Sequence, residues 1–181
     1  ASGGTALGTG SSFTTPVISN TTTFYVSAAS GTTTSQISSI GLPTVTTSTQ
    51  NTGLLFDLNV PVTLNSIDVY SNAVGTATVT ILNSALTTIY TSPAIPISNL
   101  GLTSPQTLSL GVTIPAGTGY RILVSNTGNA LGYHTGTFPI PLGNGVGTIT
   151  SGATATGTTT LNYFVYSMNT SVGCESSRIP V

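Results

Sequence analysis

Apolar and polar residues alternate with a period of two along much of the chain. The alternation is clearest at 76–81, 107–114 and 120–125, where one face is apolar and the other is mostly small or polar. This pattern indicates strands of a sheet that packs one face on a core. Runs rich in Thr, Val, Ile, Tyr and Phe predict further strands at 22–28, 54–60, 62–70, 87–91, 146–150 and 161–168. No stretch has the apolar spacing of an amphipathic helix.

Turn-forming residues separate these stretches. Clusters of Asn, Gly, Ser and Pro lie at 72–75, 83–84, 99–101, 115–117, 126–129 and 143–147. Strands at intervals of about 8–12 residues with such turns are typical of all-β sandwiches or barrels. We therefore predict an all-β, antiparallel β-sandwich in which two sheets pack face to face. The low-complexity stretch 154–160 fits either a loop or a Thr-rich sheet edge.

The composition excludes several classes of function. Only 3% of the 181 residues are charged, Lys plus Arg number 2, and the net charge is −1. Two cations cannot neutralise a phosphate backbone or hold an anionic membrane surface, so we expect no nucleic-acid partner. No apolar run approaches the roughly 18 residues of a membrane span, so we expect no membrane insertion. The 37 Thr and 23 Ser, with no Lys at all, favour an extracellular or cell-surface location.

Few side chains can carry chemistry. Asp57 and Asp68 flank the link around Pro61, and they would face one another if their strands formed a hairpin. A glycosidase needs two carboxylates about 5–10 Å apart, and this pair is the only candidate. The alternative is that both are solvated or hydrogen-bonded strand positions, and we predict a protein that is not an enzyme.

Oxygen ligands for a cation are also sparse. Asp57 and Asn59 are candidate ligands for a structural Ca²⁺, which binds carboxylate and carbonyl oxygens. No other cofactor is expected. Cys174 is the only cysteine, so it forms no internal disulfide and is either a free thiol or an intermodule cysteine that pairs outside this chain.

The candidate ligand-binding residues are Tyr133, His134 and Asn144, placed in loops at one end of the sandwich. Tyrosine rings bind sugars by stacking, but the chain has no Trp, so structural packing is the better explanation of its aromatic residues. A concave groove with exposed tyrosines would support carbohydrate binding, and a fully packed set would count against it.

Both ends of the chain resemble a known family. The motifs F-T-T-P at 13–16 and T-T-F-Y-V at 22–26 resemble the closing half of an immunoglobulin-like (Ig-like) repeat. Such repeats occur in large secreted adhesins of Bacteroidota, gliding-type proteins exported by type IX secretion. The end of the chain, G-C-E-S-S-R-I-P-V at 173–181, resembles the closure that recurs in the same proteins.

The middle of the chain resembles the β-sandwich module that those proteins insert. The segments that carry this resemblance are 53–58, 64–70, 115–120 and 161–168. The resemblance implies a jelly-roll or Ig-like sandwich at 30–172. Residues 1–29 would then be the closing part of an Ig-like unit or a donated strand segment. Residues 173–181 would be the closing strand or the linker to a next unit.

The predicted function follows from the surface chemistry and from this resemblance. Near-zero net charge promotes association, because copies of the chain do not repel one another. We predict a non-catalytic extracellular structural or adhesive repeat module that packs end to end, with a filament as the extended form. Its partners would be other copies or neighbouring modules. The alternative is a carbohydrate-binding module with surface glycans as partners.

Overall fold

Antiparallel strands account for most of the chain. The computed structural model describes residues 14–15, 23–26, 29–36, 46–98, 101–175 and 179–180. The strands are β1 (Tyr25–Val26), β2 (Ala29–Gln36), β3 (Thr47–Ser48), β4 (Thr52–Leu58), β5 (Val62–Ser71), β6 (Gly75–Leu82), β7 (Thr88–Thr91), β8 (Ile95–Ile97), β9 (Gly101–Ile114), β10 (Gly117–Thr127), β11 (Leu131–Thr135), β12 (Ile140–Leu142), β13 (Gly147–Thr154), β14 (Thr158–Thr159), β15 (Leu161–Tyr163), β16 (Ser167–Glu175) and β17 (Ile179–Pro180). A short 3₁₀ helix, Gly143–Gly145, lies between β12 and β13.

The chain divides into two compact units. One consists of residues 1–30 and 174–181, and the other of residues 31–173. In the first unit, β1 pairs antiparallel with β17, so that Tyr25 lies opposite Pro180 and Val26 opposite Ile179. The two segments of this unit are therefore joined by a strand pair, and the second unit is an insertion between them in the sequence.

The second unit contains two antiparallel sheets. Sheet A has the order β12-β13-β4-β10-β6-β7, with β14 beside β13 and β8 beside β6. Sheet B has the order β15-β11-β5-β16-β2, with β3 beside β11 and β9 beside β5. Consecutive strands often lie in different sheets, since the chain leaves sheet A after β4 and returns to it after β5. The predicted all-β antiparallel sandwich is confirmed.

One continuous core joins the two sheets. The strands of sheet A contribute Leu54, Phe56, Val79, Ile81, Ile122, Val124 and Ile149, and those of sheet B contribute Leu64, Ile67, Val69, Leu108, Ile114, Leu131 and Met168. Burial of each large apolar side chain contributes about 1.5–3 kcal/mol. The apolar residues of the alternating pattern are therefore the ones on the inward face of each strand.

A bulge in β5 explains an irregularity in this alternation. Leu64 and Ile67 are both buried although they are three positions apart. Against β16 the register shifts between Leu64 and Ser66, which leaves an extra residue, Asn65, in β5. One inserted residue changes the phase of the alternation, so both apolar residues reach the core.

The single strand predicted at 161–168 is wrong. A turn interrupts the strand between β15 and β16. In this turn Phe164 adopts a φ of 59°, and the backbone amide of Val165 donates to the carbonyl of Tyr163 at 2.6 Å. Phe164, Val165 and Tyr166 are all buried, with exposed fractions of 0%, 0% and 3%. The positive φ of Phe164 ends β15, because an extended strand requires a negative φ.

Candidate functional site

The two carboxylates considered as a catalytic pair are not brought together by strand pairing. Asp57 lies in β4 of sheet A and Asp68 in β5 of sheet B, so the hairpin that would bring them face to face is not formed. Each carboxylate has its own partner. Asp57 Oδ1 accepts a hydrogen bond from the amide of Gly119 at 2.7 Å, and Asp68 Oδ1 accepts one from Thr107 Oγ1 at 2.6 Å. Both contacts link neighbouring strands, which is a structural role.

Asp57 and Asn59 each hold a different part of the backbone. The side-chain Nδ2 of Asn59 donates to the carbonyl oxygen of Gly145 at 2.9 Å, whereas the carboxylate of Asp57 accepts from the backbone amide of Gly119. No group of three or more His, Cys, Asp or Glu side chains lies together within the described residues. The calcium site stays a prediction.

His134 packs into an aromatic cluster on β11 and the neighbouring segments. Its ring stacks on Tyr166 with centroids 5.6 Å apart, and Tyr70 meets Tyr166 edge-on at 4.8 Å. The hydroxyl of Tyr166 donates to the carbonyl of Gly132 at 3.0 Å. Burial, with a contribution from Tyr70, raises the pKa of Tyr166 well above its ordinary value. This hydroxyl is therefore a fixed, neutral donor.

Both ring nitrogens of His134 are buried. Neither has a hydrogen-bond partner in the part of the chain that the structure describes, and burial lowers the pKa of His134. Its cross-strand neighbour Asn162 is fully buried, and both of its amide atoms also lack a partner there. Because the nitrogens of His134 are covered by protein, the ring does not present them to a ligand on the surface.

Tyr133 continues the same cluster. It pairs across the strands with Tyr163, with ring centroids 5.0 Å apart, and Tyr163 meets Phe164 at 5.6 Å. Burial raises the pKa of the Tyr163 hydroxyl, with Tyr133 as a second cause. The rings of this aromatic cluster contact each other and are buried or half-buried. Such packing counts against an exposed platform for sugar stacking.

Two further predicted residues lie where the structure gives no account of their side chains. Asn144 lies in the short 3₁₀ helix and Cys174 near the end of β16, but their side chains fall outside the described part. The roles expected for both stay predictions.

An open polar groove lies where two turns of the sandwich meet. It has a volume of about 590 Å³ and is lined by the β5–β6 turn, by the β10–β11 turn and by Thr49. The lining residues are Thr49, Asn72, Ala73, Asn126, Thr127, Gly128, Asn129 and Ala130. None of them is charged, and most of the exposed surface of this shallow groove is apolar, so a ligand would be held by apolar contact together with neutral hydrogen bonds.

Two asparagines of the polar groove have unused hydrogen-bonding capacity. The Asn126 amide nitrogen donates to the carbonyl of Asn129 at 2.7 Å, and the Asn129 amide nitrogen donates to Ser71 Oγ at 3.0 Å. The Oδ1 atoms of both residues are buried, with no partner among the described residues. Asn129 is only 6% exposed. Two acceptors without donors lie just beneath the surface of the groove.

The comparison with known families concerns the N-terminal segment. Residues 1–46 match the family described as "Ig-like domain CHU_C associated". This segment is Ig-like. The match confirms the resemblance drawn from the motifs at 13–16 and 22–26. No curated protein and no solved structure matches the chain.

The family match of the N-terminal segment indicates the general kind of module to which the chain belongs. An Ig-like domain of this type is a structural module of the extracellular kind, and such domains are typically non-catalytic. The described residues include no helix with the length and apolar content needed to cross a membrane.

The sequence predicted the turns at 72–75 and 126–129 but gave no indication that they meet. Asn and Gly in these turns satisfy local backbone needs, which is the usual reason for their presence. Their proximity depends on the way β5 and β10 are placed in different sheets. Only a preference for Asn over Gly and Ser in both turns could have indicated a polar groove.

Proposed function

We propose that this chain is a non-catalytic structural and adhesive module of an extracellular surface protein, and that its copies pack against one another end to end. The observation that carries the proposal is the insertion of the sandwich between two segments joined by the β1–β17 strand pair, the first of which matches the Ig-like family.

The surface chemistry supports association between copies. With a net charge of −1 and 3% charged residues, one copy exerts little electrostatic repulsion on another. Several polar contacts across sheet B join two uncharged side chains, as in the Thr63–Thr113 hydroxyl pair at 3.2 Å and the Asn65–Asn169 pair at 3.3 Å. Assembly through such surfaces depends little on salt, because screening acts on charges.

Electron microscopy of the native chain at near-neutral pH, without denaturant, tests this proposal. We expect regular assemblies whose length grows with protein concentration and which persist from about 0.05 to 0.5 M salt. Sedimentation velocity on the same samples gives the fraction assembled. Separate globular particles at every concentration would refute end-to-end packing.

Carbohydrate binding is the second candidate function, and the polar groove favours it. The exposed residues Thr49 and Thr127 line the groove, and their hydroxyls are neutral donors and acceptors for the hydroxyl groups of a sugar. The test is a titration with a panel of neutral glycans, followed by amide chemical shifts. Shifts confined to 72–73 and 126–130 would support the groove. Shifts centred on Tyr133 would support the original prediction instead, and no shifts would remove this candidate.

A further inference from the structure

Asn162 is a fully buried amide whose hydrogen-bonding groups are unused. It lies in β15, is 0% exposed, and neither its Oδ1 nor its Nδ2 has a partner among the described residues. Other buried polar side chains of the sandwich are bonded. The hydroxyl of Ser92 takes part in two hydrogen bonds, at 2.9 and 2.8 Å, and the amide nitrogen of Asn129 donates at 3.0 Å. Asn162 differs from both, because its donor and its acceptor are unused together.

His134 lies directly opposite Asn162 on the neighbouring strand. The two are cross-strand partners of β11 and β15, so their side chains leave the sheet on the same face and their Cβ atoms lie about 4.5–5.5 Å apart. Both ring nitrogens of His134 are buried and lack a partner in the part of the chain that the structure describes. The next pair along these strands, Tyr133 and Tyr163, does meet, since its ring centroids lie 5.0 Å apart. Four buried polar atoms without partners therefore belong to two adjoining side chains.

Aromatic rings and a glycine surround this pair. The ring of His134 stacks on that of Tyr166, with centroids 5.6 Å apart and an interplanar angle of 20°. The backbone of Gly136 approaches the other residue, since a Cβ on Gly136 would lie 3.4 Å from the Cβ of Asn162 and 2.6 Å from the ring of Phe138. These neighbours cover the pair with rings and carbon atoms. Such atoms do not replace the hydrogen bonds that solvent supplies to both side chains in the unfolded chain.

A direct hydrogen bond between the two side chains is opposed by the way the histidine ring is held. The hydroxyl of Tyr166 donates to the carbonyl of Gly132 at 3.0 Å, and Tyr70 meets Tyr166 edge-on at 4.8 Å. The stacking partner of His134 is therefore fixed from two sides. In the stacked orientation neither nitrogen of His134 is bonded to Asn162, and turning the ring out of this plane would lose the stack.

The unused groups are complementary to water. An asparagine side chain has an acceptor oxygen and two amide hydrogens, and a neutral imidazole has one donor and one acceptor. Burial lowers the pKa of His134, which keeps its imidazole neutral, so the pair offers no charge to attract an ion. Water both donates and accepts, and buried water molecules typically make about three hydrogen bonds to polar groups that would otherwise be unsatisfied. No other molecule of that size combines these properties.

We propose that His134 and Asn162 form an internal binding site for an ordered water molecule, which bridges the imidazole to the amide. The bridge links β11 to β15 through side chains, in addition to the three residue pairs of the backbone ladder. Strand β15 is three residues long and ends the main path of sheet B, so a second link fixes a strand whose own ladder is short. The site is independent of any association between copies of the chain.

A crystal structure of the full chain at a resolution that shows ordered water tests the site directly. We expect a water oxygen about 2.7–3.2 Å from one ring nitrogen of His134 and from Oδ1 or Nδ2 of Asn162. A direct hydrogen bond between the two side chains, or bonds that pair both of them with other protein groups, would overturn the proposal. Well-ordered side chains with no water, or with water on only one of the two residues, would overturn it as well.

Oxygen-17 magnetic relaxation dispersion provides an independent measurement in solution, because it counts water molecules that stay in the protein for longer than the protein takes to tumble. The double variant His134→Phe/Asn162→Leu replaces both polar groups by apolar side chains of similar volume. We expect it to hold fewer long-lived water molecules than the unaltered chain. The matched control Met168→Leu changes only apolar atoms at a position that is 1% exposed, and it should leave the count unchanged.

Far-UV circular dichroism identical to that of the unaltered chain shows that both variants are folded. An unchanged water count in the folded double variant would refute the bridge. If the double variant does not fold, the crystal structure of the unaltered chain decides.

Discussion

Replacing Gly53 by alanine tests whether the centre of sheet A is as tightly packed as its geometry indicates. Gly53 lies in β4 between two strands, opposite Leu123 of β10 and Ala153 of β13. A Cβ at this position would overlap the carbonyl oxygen of Ile122, and it would lie 2.8 Å from the carbonyl carbon of Ile122 and 3.0 Å from the Cα of Leu123. All three atoms belong to backbone, so no side-chain rotation relieves the overlap.

The expected loss of stability follows from that geometry. The strands must separate by about 1 Å or more, which costs roughly two ladder hydrogen bonds at about 1 kcal/mol each. Overpacking of the core adds about 1–3 kcal/mol. We expect Gly53→Ala to lower the free energy of unfolding by about 3–5 kcal/mol, a large part of the roughly 5–15 kcal/mol available to a domain. Urea denaturation followed by far-UV circular dichroism measures this change.

Gly111→Ala is the matched control. Gly111 has no atom within 4 Å of its would-be Cβ, but its φ is 64°. The same methyl group there meets no neighbour and incurs only the backbone cost, about 1–2 kcal/mol. If Gly53→Ala cost no more than Gly111→Ala, the close approach of β4 and β10 would be refuted.

Three further predictions concern single side chains. Burial lowers the pKa of His134 below its ordinary value of 6.5, so the unfolded chain binds the proton first as the pH falls. The contribution of neutral, buried His134 to the free energy of unfolding is therefore complete above about pH 6.5 and is lost as the pH falls below it. We expect the urea midpoint to decrease when the pH is lowered from about 7.5 to about 5.5, and His134→Phe to abolish this decrease, since His134 is the only histidine. Arg121→Met removes the Nη1 bonds to the carbonyls of Thr154 at 3.0 Å and Gly157 at 2.5 Å, and should cost about 1.5–3 kcal/mol in urea denaturation, with Arg121→Lys losing less. Asn83→Ala removes an acceptor of two amides and should lower the thermal midpoint by an amount equivalent to about 1 kcal/mol, whereas Asn83→Asp retains the acceptor and should lose less.

The strands with regular alternation could be predicted because local pattern and final burial agree. The stretch 76–81 lies within β6, 120–125 within β10 and 62–70 within β5. The short strands β3, β8, β12 and β14 have too few residues for a recognisable pattern and exist because a longer neighbour supplies their partner. The break at Phe164 could not be predicted, because residues 161–168 favour strands and nothing local indicates the positive φ that Phe164 adopts.

The candidate site was less predictable than the fold. Tyr133 and His134 were selected because aromatic and titratable side chains are rare in this sequence. Their burial depends on Tyr163 and Tyr166, which come from later segments. The groove formed by the turns at 72–73 and 126–130 could not be anticipated, since nothing local indicates that one turn meets another.

The sequence by itself determined the class of fold and the uncharged character of the surface. The class of fold follows from the period-two alternation, which places apolar residues on one face of any extended strand. The uncharged surface follows directly from the residue types. Only the tertiary structure decided which strands are neighbours, that Asp57 and Asp68 lie in different sheets, and that β7 pairs with β6 alone among the described residues. These features depend on contacts between segments distant in sequence, where the backbone offers many pairings of similar local quality and the shared core selects among them.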